Sequence, residues 1–294
     1  MMARREQARY PAGVPCWVEL TEANGELSTS FFGDLLGWRF EDRAPEGAAA
    51  PYFVASLPDQ DGDVAGFGSL LAEPVQNPVW TTYVRVDSAD ESAERVSTAG
   101  GTVLQGPTDV EGIARVAVCT DPAGARFGLW EARGSGGAHL VNRPDTWNFS
   151  NLVTSDPEAA ADFYGKVFGW RTQNVRFGGG AQDATMLLLP GYGDFLEELA
   201  PGTKDRHTES GAPEGFSDAV GWLSAVPYEA LAETVAQWAV EFSAADAESV
   251  LIRAAQLGGT VVTPLADMGG MRYGAFQDPR GAAMAINEFH QPPT

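Results

Sequence analysis

The chain has 294 residues, 44% of them hydrophobic, and sets 19 basic against 40 acidic side chains for a formal net charge of −21. That length accommodates two ordinary domains with packed cores, while the charge repels phosphate backbones and anionic bilayers, which excludes nucleic acid and membrane as partners and reads as solubility. No run approaches 18 consecutive apolar residues and the opening MMARREQARY lacks the apolar core of a signal peptide, so the expected location is the cytoplasm.

After a tail over 1–13, the first element is a strand, Cys16–Leu20. Cys16 and the later Cys119 both sit in apolar runs. Two cysteines without a C-x-x-C read as buried free thiols in a reducing compartment. A helix carrying Leu27, Phe31, Leu35 and Leu36 at helical spacing ends at Gly37. Trp80–Val86 is a second strand, and Ser88 with Glu91 caps a helix that ends at Gly100-Gly101. A strand, the turn Asp121-Pro122-Ala123-Gly124 and a closing strand through Trp130 and Glu131 complete residues 14–133. Gly134-Ser135-Gly136-Gly137 opens a linker over 134–144.

The same order then recurs over 145–291. Trp147–Val153 is a strand. Ser155 and Glu158 form a capping box, with Pro157 in the first turn of a helix carrying Ala160, Phe163, Val167 and Phe168 and ending at Gly169. Trp238–Phe242 is a strand, and a helix near Asp246–Leu257 ends at Gly258-Gly259. A strand, the turn Asp278-Pro279-Arg280-Gly281 and a closing strand with Glu288 follow. The repeat is explicit. FFGDLLGWR from Phe31 matches FYGKVFGWR from Phe163 at an offset of 132, GGTV recurs at an offset of 158, and both the Asp-Pro-x-Gly turn and the Glu of the closing strand recur at 157. The change of offset places about 26 extra residues in the second copy, within about 190–237. This insertion reads equally as a flap over a binding cup, bearing Phe216 and Trp222, and as an arm packed on the other half.

This succession of an opening strand, an FYGxxFGW helix end, a GG-T-V helix end and a DPxG hairpin resembles the vicinal oxygen chelate superfamily of glyoxalases, bleomycin-resistance proteins and dioxygenases. The layout is similar to two-domain, glyoxalase-like actinobacterial proteins. The resemblance covers nearly the whole chain. It implies an α+β fold of two tandem domains, each of paired βαβββ units whose curved mixed sheet forms a cup, associated as a pseudo-dimer within the chain that can pair further as a homodimer. It also implies that enzymes of the family hold a divalent metal in the cup.

The residues aligning with the family's ligand positions are Trp17 and Phe149 on the first strands, Thr81 and Ala239 on the fifth, and Gly128 and Ala285 on the closing strands. None can ligate a hard cation through its side chain as His or Glu does. The three histidines, His139, His207 and His290, fall in the linker, the insertion and the tail. No cofactor and no metal ligands are therefore expected. Glu131 and Glu288 read as salt-bridged or solvated strand ends.

Projection along the strand faces lines the first cup with Trp17, Glu19, Thr81, Tyr83, Arg85, Arg126 and Trp130. The second is lined with Trp147, Phe149, Asn151, Glu241 and Asn287. Aromatic faces with a few polar groups suit a flat, ring-containing small molecule, although the same residues serve equally as core. The first cup keeps more polar groups, which favours it as the working site. The primary expectation is a metal-free binder used in sequestration, self-resistance or natural-product tailoring. The alternatives are an isomerase- or cyclase-type enzyme with Glu19 or Glu241 as general base, a metal-dependent lyase or dioxygenase with displaced ligands, and a protein–protein module with a plugged cup.

Overall fold

The computed structural model describes residues 10–22, 25–44, 47–48, 50–71, 77–177, 182–209, 211–225, 236–268 and 270–289. The first half runs β1 (Pro15–Thr21), α1 (Glu26–Leu36), β2 (Arg39–Asp42), β3 (Phe53–Ser56), β4 (Asp63–Gly68), then β5 (Val79–Arg85), α2 (Ala89–Thr98), β6 (Thr102–Val110), β7 (Ala114–Thr120) and β8 (Arg126–Ala132). The second repeats it as β9 (Trp147–Thr154), α3 (Pro157–Phe168), β10 (Arg171–Phe177), β11 (Gln182–Leu188), β12 (Ala219–Ala225), then β13 (Gln237–Ser243), α6 (Ala247–Gln256), β14 (Thr260–Asp267), β15 (Met271–Gln277) and β16 (Ala283–Phe289). Each half therefore contains two βαβββ units, and their strands form one open eight-stranded mixed sheet per half. The orders are β2-β3-β4-β1-β5-β8-β7-β6 and β10-β11-β12-β9-β13-β16-β15-β14. All strands of a sheet come from one half, so each cup face is built within its own half.

Local signals set the helix ends. Ser88 accepts from the Glu91 amide and caps α2, and Asp246 caps α6. For α3 the cap is Asp156, which accepts from the Ala159 amide, rather than Ser155; Pro157 occupies the first turn as expected. Glu131 and Glu288 reach the first amides of the second helix in each half, accepting from Ala89 at 3.0 Å and Ala247 at 2.9 Å. There they meet the positive end of the helix dipole as well as Arg133 and Arg272. On α1 the buried face carries Phe31, Phe32 and Leu36, whereas Leu27 is 65% exposed and lies outside the core expected for it.

The added length of the second half lies between β11 and β12. It holds α4 (Tyr192–Leu199), α5 (Thr203–Glu209) and a 3-10 turn at Phe216–Asp218. The counterpart of β12 in the first half is β4, so Trp222 stands on a sheet strand and not on an inserted flap; of the two residues expected on the flap, only Phe216 is there.

The halves share their cores. Phe31 of α1 packs on Phe276 of β15, and Phe163 of α3 on Phe127 of β8. Trp38 and Trp80 both pack against Phe242, and Trp38 donates its indole N–H to the Asp145 carbonyl at 2.9 Å. Reciprocally, Trp170 donates to the Gly13 carbonyl at 2.7 Å, while within the second half Trp238 donates to the Tyr164 hydroxyl at 2.9 Å. At the centre, Thr82 of β5 and Ser150 of β9 share a hydrogen bond of 2.7 Å. Each Asp-Pro-x-Gly turn also reaches the other half. Tyr164 donates to Asp121 at 3.2 Å, while Ser28 contacts Asp278 at 3.4 Å beside the ion pair between Arg280 and the buried Glu22. Each half's first helix is thus seated on the other half's second unit. Among the described residues no helix is long and apolar enough to cross a membrane.

Candidate functional site

Strand register makes the two cup faces comparable position by position. On the first sheet Glu19 lies opposite Thr81 and beside Gly66, and Tyr83 beside Gly128. On the second, Asn151 lies opposite Ala239 and beside Trp222, and Glu241 beside Ala285. Glu19 therefore corresponds to Asn151, Tyr83 to Glu241, Trp130 to Asn287, and Trp17 to Phe149. Both cups keep one carboxyl, but on different strands.

The first cup is filled by its own side chains. Trp17, Glu19, Thr81, Tyr83 and Trp130 are each at most 4% exposed. Trp17 and Tyr83 pack on Trp130 at centroid distances of 6.0 and 5.7 Å. The Tyr83 ring lies directly over Gly128, where a Cβ would sit 2.0 Å from Cδ1, and the Tyr52 hydroxyl lies over Gly66 in the same way. Glu19 accepts from Thr21 at 3.0 Å and Tyr83 at 3.3 Å, with the Tyr52 phenol alongside. Arg126 donates to Thr81 at 3.2 Å. Arg85 is drawn to the strand end, where it pairs with Asp87. The connector between the halves seals this face. Trp130 donates to the Ser135 carbonyl at 3.0 Å, the Ala138 amide bonds the Cys16 carbonyl at 2.8 Å, and Ala138 and Leu140 are buried in the same core. The first cup, expected to be the working one, is thus closed. Its polar residues bond one another only in part, since Glu19 Oε2 is buried without a hydrogen-bond partner among the described residues.

The second cup stays accessible. Phe149, Asn151, Trp222 and Phe216 are all half-buried. The inserted 3-10 turn sets Phe216 on the cup face, with centroids 6.0 Å from Phe149 and 6.2 Å from Trp222, and Phe149 and Trp222 are 6.4 Å apart. His207 of α5 packs edge-on against Phe216 and bonds Ser217 at 2.9 Å, which anchors the turn. Next to this ring patch lies a polar cluster. Asn287 accepts from Asn148 at 3.2 Å and Ser243 at 3.1 Å, so its amide group must donate to Glu241, at 3.1 Å. Asn151 donates to the other oxygen of Glu241. The Oδ1 atom of Asn151 is buried without a hydrogen-bond partner among the described residues. Trp147 is not part of this cup. A register irregularity at the start of β9 turns it into the core shared by the halves, where it is 4% exposed.

Burial pushes the Glu241 carboxyl up to about 7, opposed by the two asparagine amides. Glu19 is pushed up to about 7 in the same way, opposed mainly by Thr21 and Tyr52. Tyr273, beside the second cup, is raised to about 12 by burial and by Glu241. A carboxyl whose folded pKa exceeds its unfolded value binds extra proton in the folded state. Its contribution to stability is present below the unfolded value of 4.5 and is lost as pH rises towards 7. Melting temperature is therefore expected to fall between pH 4.5 and 7. Glu19→Gln should flatten that slope and raise the melting temperature at pH 8; an unchanged slope would show that Glu19 is not a titrating buried group.

The donor sets do not fit a divalent metal. Among the described residues no three His, Cys, Asp or Glu side chains converge. In the second cup the single carboxylate is faced by two amide N–H donors, where a cation would need oxygens. In the first, Glu19 faces phenols held neutral by burial. His139 sits in the connector beside Asp63, His207 in α5, and His290 lies outside the described residues. Sequence reasoning missed Tyr52, because it precedes β3 in a loop whose entry over Gly66 carries no local signal.

The glyoxalase/bleomycin resistance protein/dioxygenase superfamily profile matches residues 17–129 and 139–286. The chain belongs to this superfamily. It is 28% identical over 284 residues to the Mycobacterium bovis protein CFP32, which carries a glyoxylase name, covering 96% of this chain and 97% of that one. It is also 28% identical over 298 residues to the anthracycline biosynthesis protein DnrV of Streptomyces peucetius, covering 96% of each. Similar solved structures include the 2,3-dioxygenase LapB of Pseudomonas sp. KL28, with a TM-score of 0.58 at 11% identity over 96% of this chain and 95% of that one. The Mn(II)-bound glyoxalase of Novosphingobium aromaticivorans has a TM-score of 0.54 at 14% identity over 94% and 82%. At those identities the likeness is one of fold.

Proposed function

We propose that this superfamily member binds a flat, ring-containing small molecule in its second cup without a catalytic metal, in sequestration or natural-product tailoring. The observation that carries the reading is the asymmetry of the cups. The first is packed with Trp17, Tyr83 and Trp130. The second presents half-buried Phe149, Phe216 and Trp222 beside the buried Glu241–Asn151–Asn287 cluster. Aromatic faces supply stacking surface, and a few fixed polar atoms set orientation. The name of the Streptomyces peucetius relative, an anthracycline biosynthesis protein, supports a polycyclic aromatic ligand.

Calorimetric titration with a planar aromatic probe, 2-naphthol, is expected to give one site per chain, with quenching of tryptophan fluorescence that Trp222→Phe removes. Phe216→Ala should weaken the probe several-fold while leaving the melting temperature nearly unchanged, because Phe216 is half-buried and sits on an inserted turn. Two equivalent sites, or binding indifferent to both variants, would defeat the assignment of the second cup. Elemental analysis of protein purified without added metal or affinity tag should show no stoichiometric divalent metal; a stoichiometric one would restore the metal-dependent reading.

One observation favours a second reading, proton transfer by Glu241. A carboxyl raised to about 7 in an aromatic-walled cup meets the requirement for a general base near neutrality. Loss of turnover in Glu241→Gln with binding retained would select it over simple binding.

A further inference from the structure

We propose that the cavity between the connector and the loop after β3 binds a small zwitterion, its ammonium group on Asp145 and its carboxylate on Arg143. This site is separate from both cups and does not depend on what they hold.

The cavity has a volume of about 640 Å³, and two turns of the same design form its walls. In Leu57-Pro58-Asp59-Gln60 the Gln60 amide bonds the Leu57 carbonyl at 3.5 Å, and in Arg143-Pro144-Asp145-Thr146 the Thr146 amide bonds the Arg143 carbonyl at 3.1 Å. Proline fixes the second position of each turn. The third is left-handed, with φ of 60° at Asp59 and 63° at Asp145, where glycine is the residue normally favoured. Asn142, at φ 57°, adjoins the second turn. These three are the only non-glycine residues with left-handed backbone among the described residues, and all of them flank this one cavity. Such backbone gathers at ligand sites. The second turn is also pinned. The Asp145 amide donates to the Ser243 carbonyl at 2.8 Å, and the Asp145 carbonyl accepts the Trp38 indole N–H at 2.9 Å. The Thr146 hydroxyl donates to the Arg143 carbonyl at 2.8 Å. The backbone that carries the Asp145 carboxyl is therefore set before a ligand arrives.

Arg143 and Asp145 bring opposite charges to the cavity without neutralising each other. Arg143 spans the gap between the turns and donates to the neutral Gln60 side chain at 3.1 Å. The half-buried Asp145 carboxyl has no hydrogen bond or ion pair among the described residues, and burial raises it with no neighbouring charge in opposition. Leu36 and Leu57, each 7% exposed, and the two prolines supply apolar surface. Leu36 ends α1, which has no basic residue in its last turn, so the negative end of the helix adds to the pull on an ammonium group. A lone anion would meet one guanidinium beside a carboxyl, in a chain of net charge −21. A lone cation would pair with Asp145 and leave Arg143 as a repelling neighbour. A ligand with both charges on a short carbon frame pairs each of them and covers the leucines and prolines.

The test titrates four six-carbon compounds into the full chain by calorimetry at pH 7: norleucine, 6-aminohexanoate, hexanoate and hexylamine. The first two carry both charges, at short and long separation, and the others carry one each. The expected result is that at least one zwitterion binds tenfold or more tighter than both hexanoate and hexylamine. Asp145→Asn, which keeps a residue that accepts left-handed backbone, should bring that zwitterion within twofold of hexanoate. Arg143→Gln should bring it within twofold of hexylamine. Asp145→Gly should lose it as Asp145→Asn does, with a melting temperature little changed, which separates a ligand role from a role in the turn. Saturating 2-naphthol should leave the zwitterion titration unaltered. No tenfold preference in the wild-type chain would overturn the proposal, as would a preference that survives in both Asp145→Asn and Asp145→Gly. Competition with 2-naphthol would move the ligand into the second cup and overturn the site.

Discussion

Trp130→Ala is expected to destabilise the protein by about 3–5 kcal/mol, the usual cost of removing a buried tryptophan, while leaving affinity for 2-naphthol within twofold of wild type. Trp130 is 2% exposed, packs on Trp17 and Tyr83, and holds the connector through the Ser135 carbonyl. Its loss removes the centre of the filled cup and unpins the segment that seals it. The separation of the two effects is the informative part. Chemical denaturation should show the stability loss and calorimetry the retained binding. A ligand site in the first cup would instead make both fall together.

Trp38→Ala should cost a similar 3–5 kcal/mol, but its consequence differs because Trp38 belongs to both halves. It stacks on Phe32, packs on Phe67 and Phe242, and bonds the Asp145 carbonyl. The shared cores predict that the wild-type chain unfolds in a single transition despite its two sheets. Trp38→Ala should shift that transition as a whole; two resolved transitions in wild-type calorimetry would contradict the coupling. Binding in the second cup should weaken only through loss of the folded fraction, since Phe242 lies on the opposite face of β13 from Glu241.

Much of the fold was legible because the repeat leaves marks where backbone chemistry is most constrained. The helix ends at Gly37 and Gly169 take left-handed conformations, and the Asp-Pro-x-Gly turns are held by Asp121 and Asp278 accepting backbone amides. Alternation along β1, β5, β9 and β13 is what groups Glu19 with Tyr83 on one sheet face and Asn151 with Glu241 on the other sheet's face, as the strand register also does. Alternation also misplaced Trp147, because a bulge shifts the phase and leaves no signature in composition. The state of the first cup was illegible for a different reason. A strand carrying Trp17 and Glu19 reads the same whether its face meets a ligand or Tyr52 and the connector, and both of those come from elsewhere in the chain. The insertion was recognised by its offset. Its true limits depended on seeing Ala219–Ala225 as the partner of β9, a pairing that only register reveals.

The exchange of helices between halves bears on how the protein is made. Phe31 and Trp38 find their partners Phe276 and Phe242 about two hundred residues further along the chain. At translation rates of about 5–20 residues per second, the ribosome delivers those partners roughly 10–40 s after the aromatics themselves. Through that interval Phe31 and Trp38 have their neighbours Phe32 and Phe67 within the first half but lack the partners that cover them in the finished chain. Holding by a chaperone is the natural remedy, and the first half produced alone should aggregate.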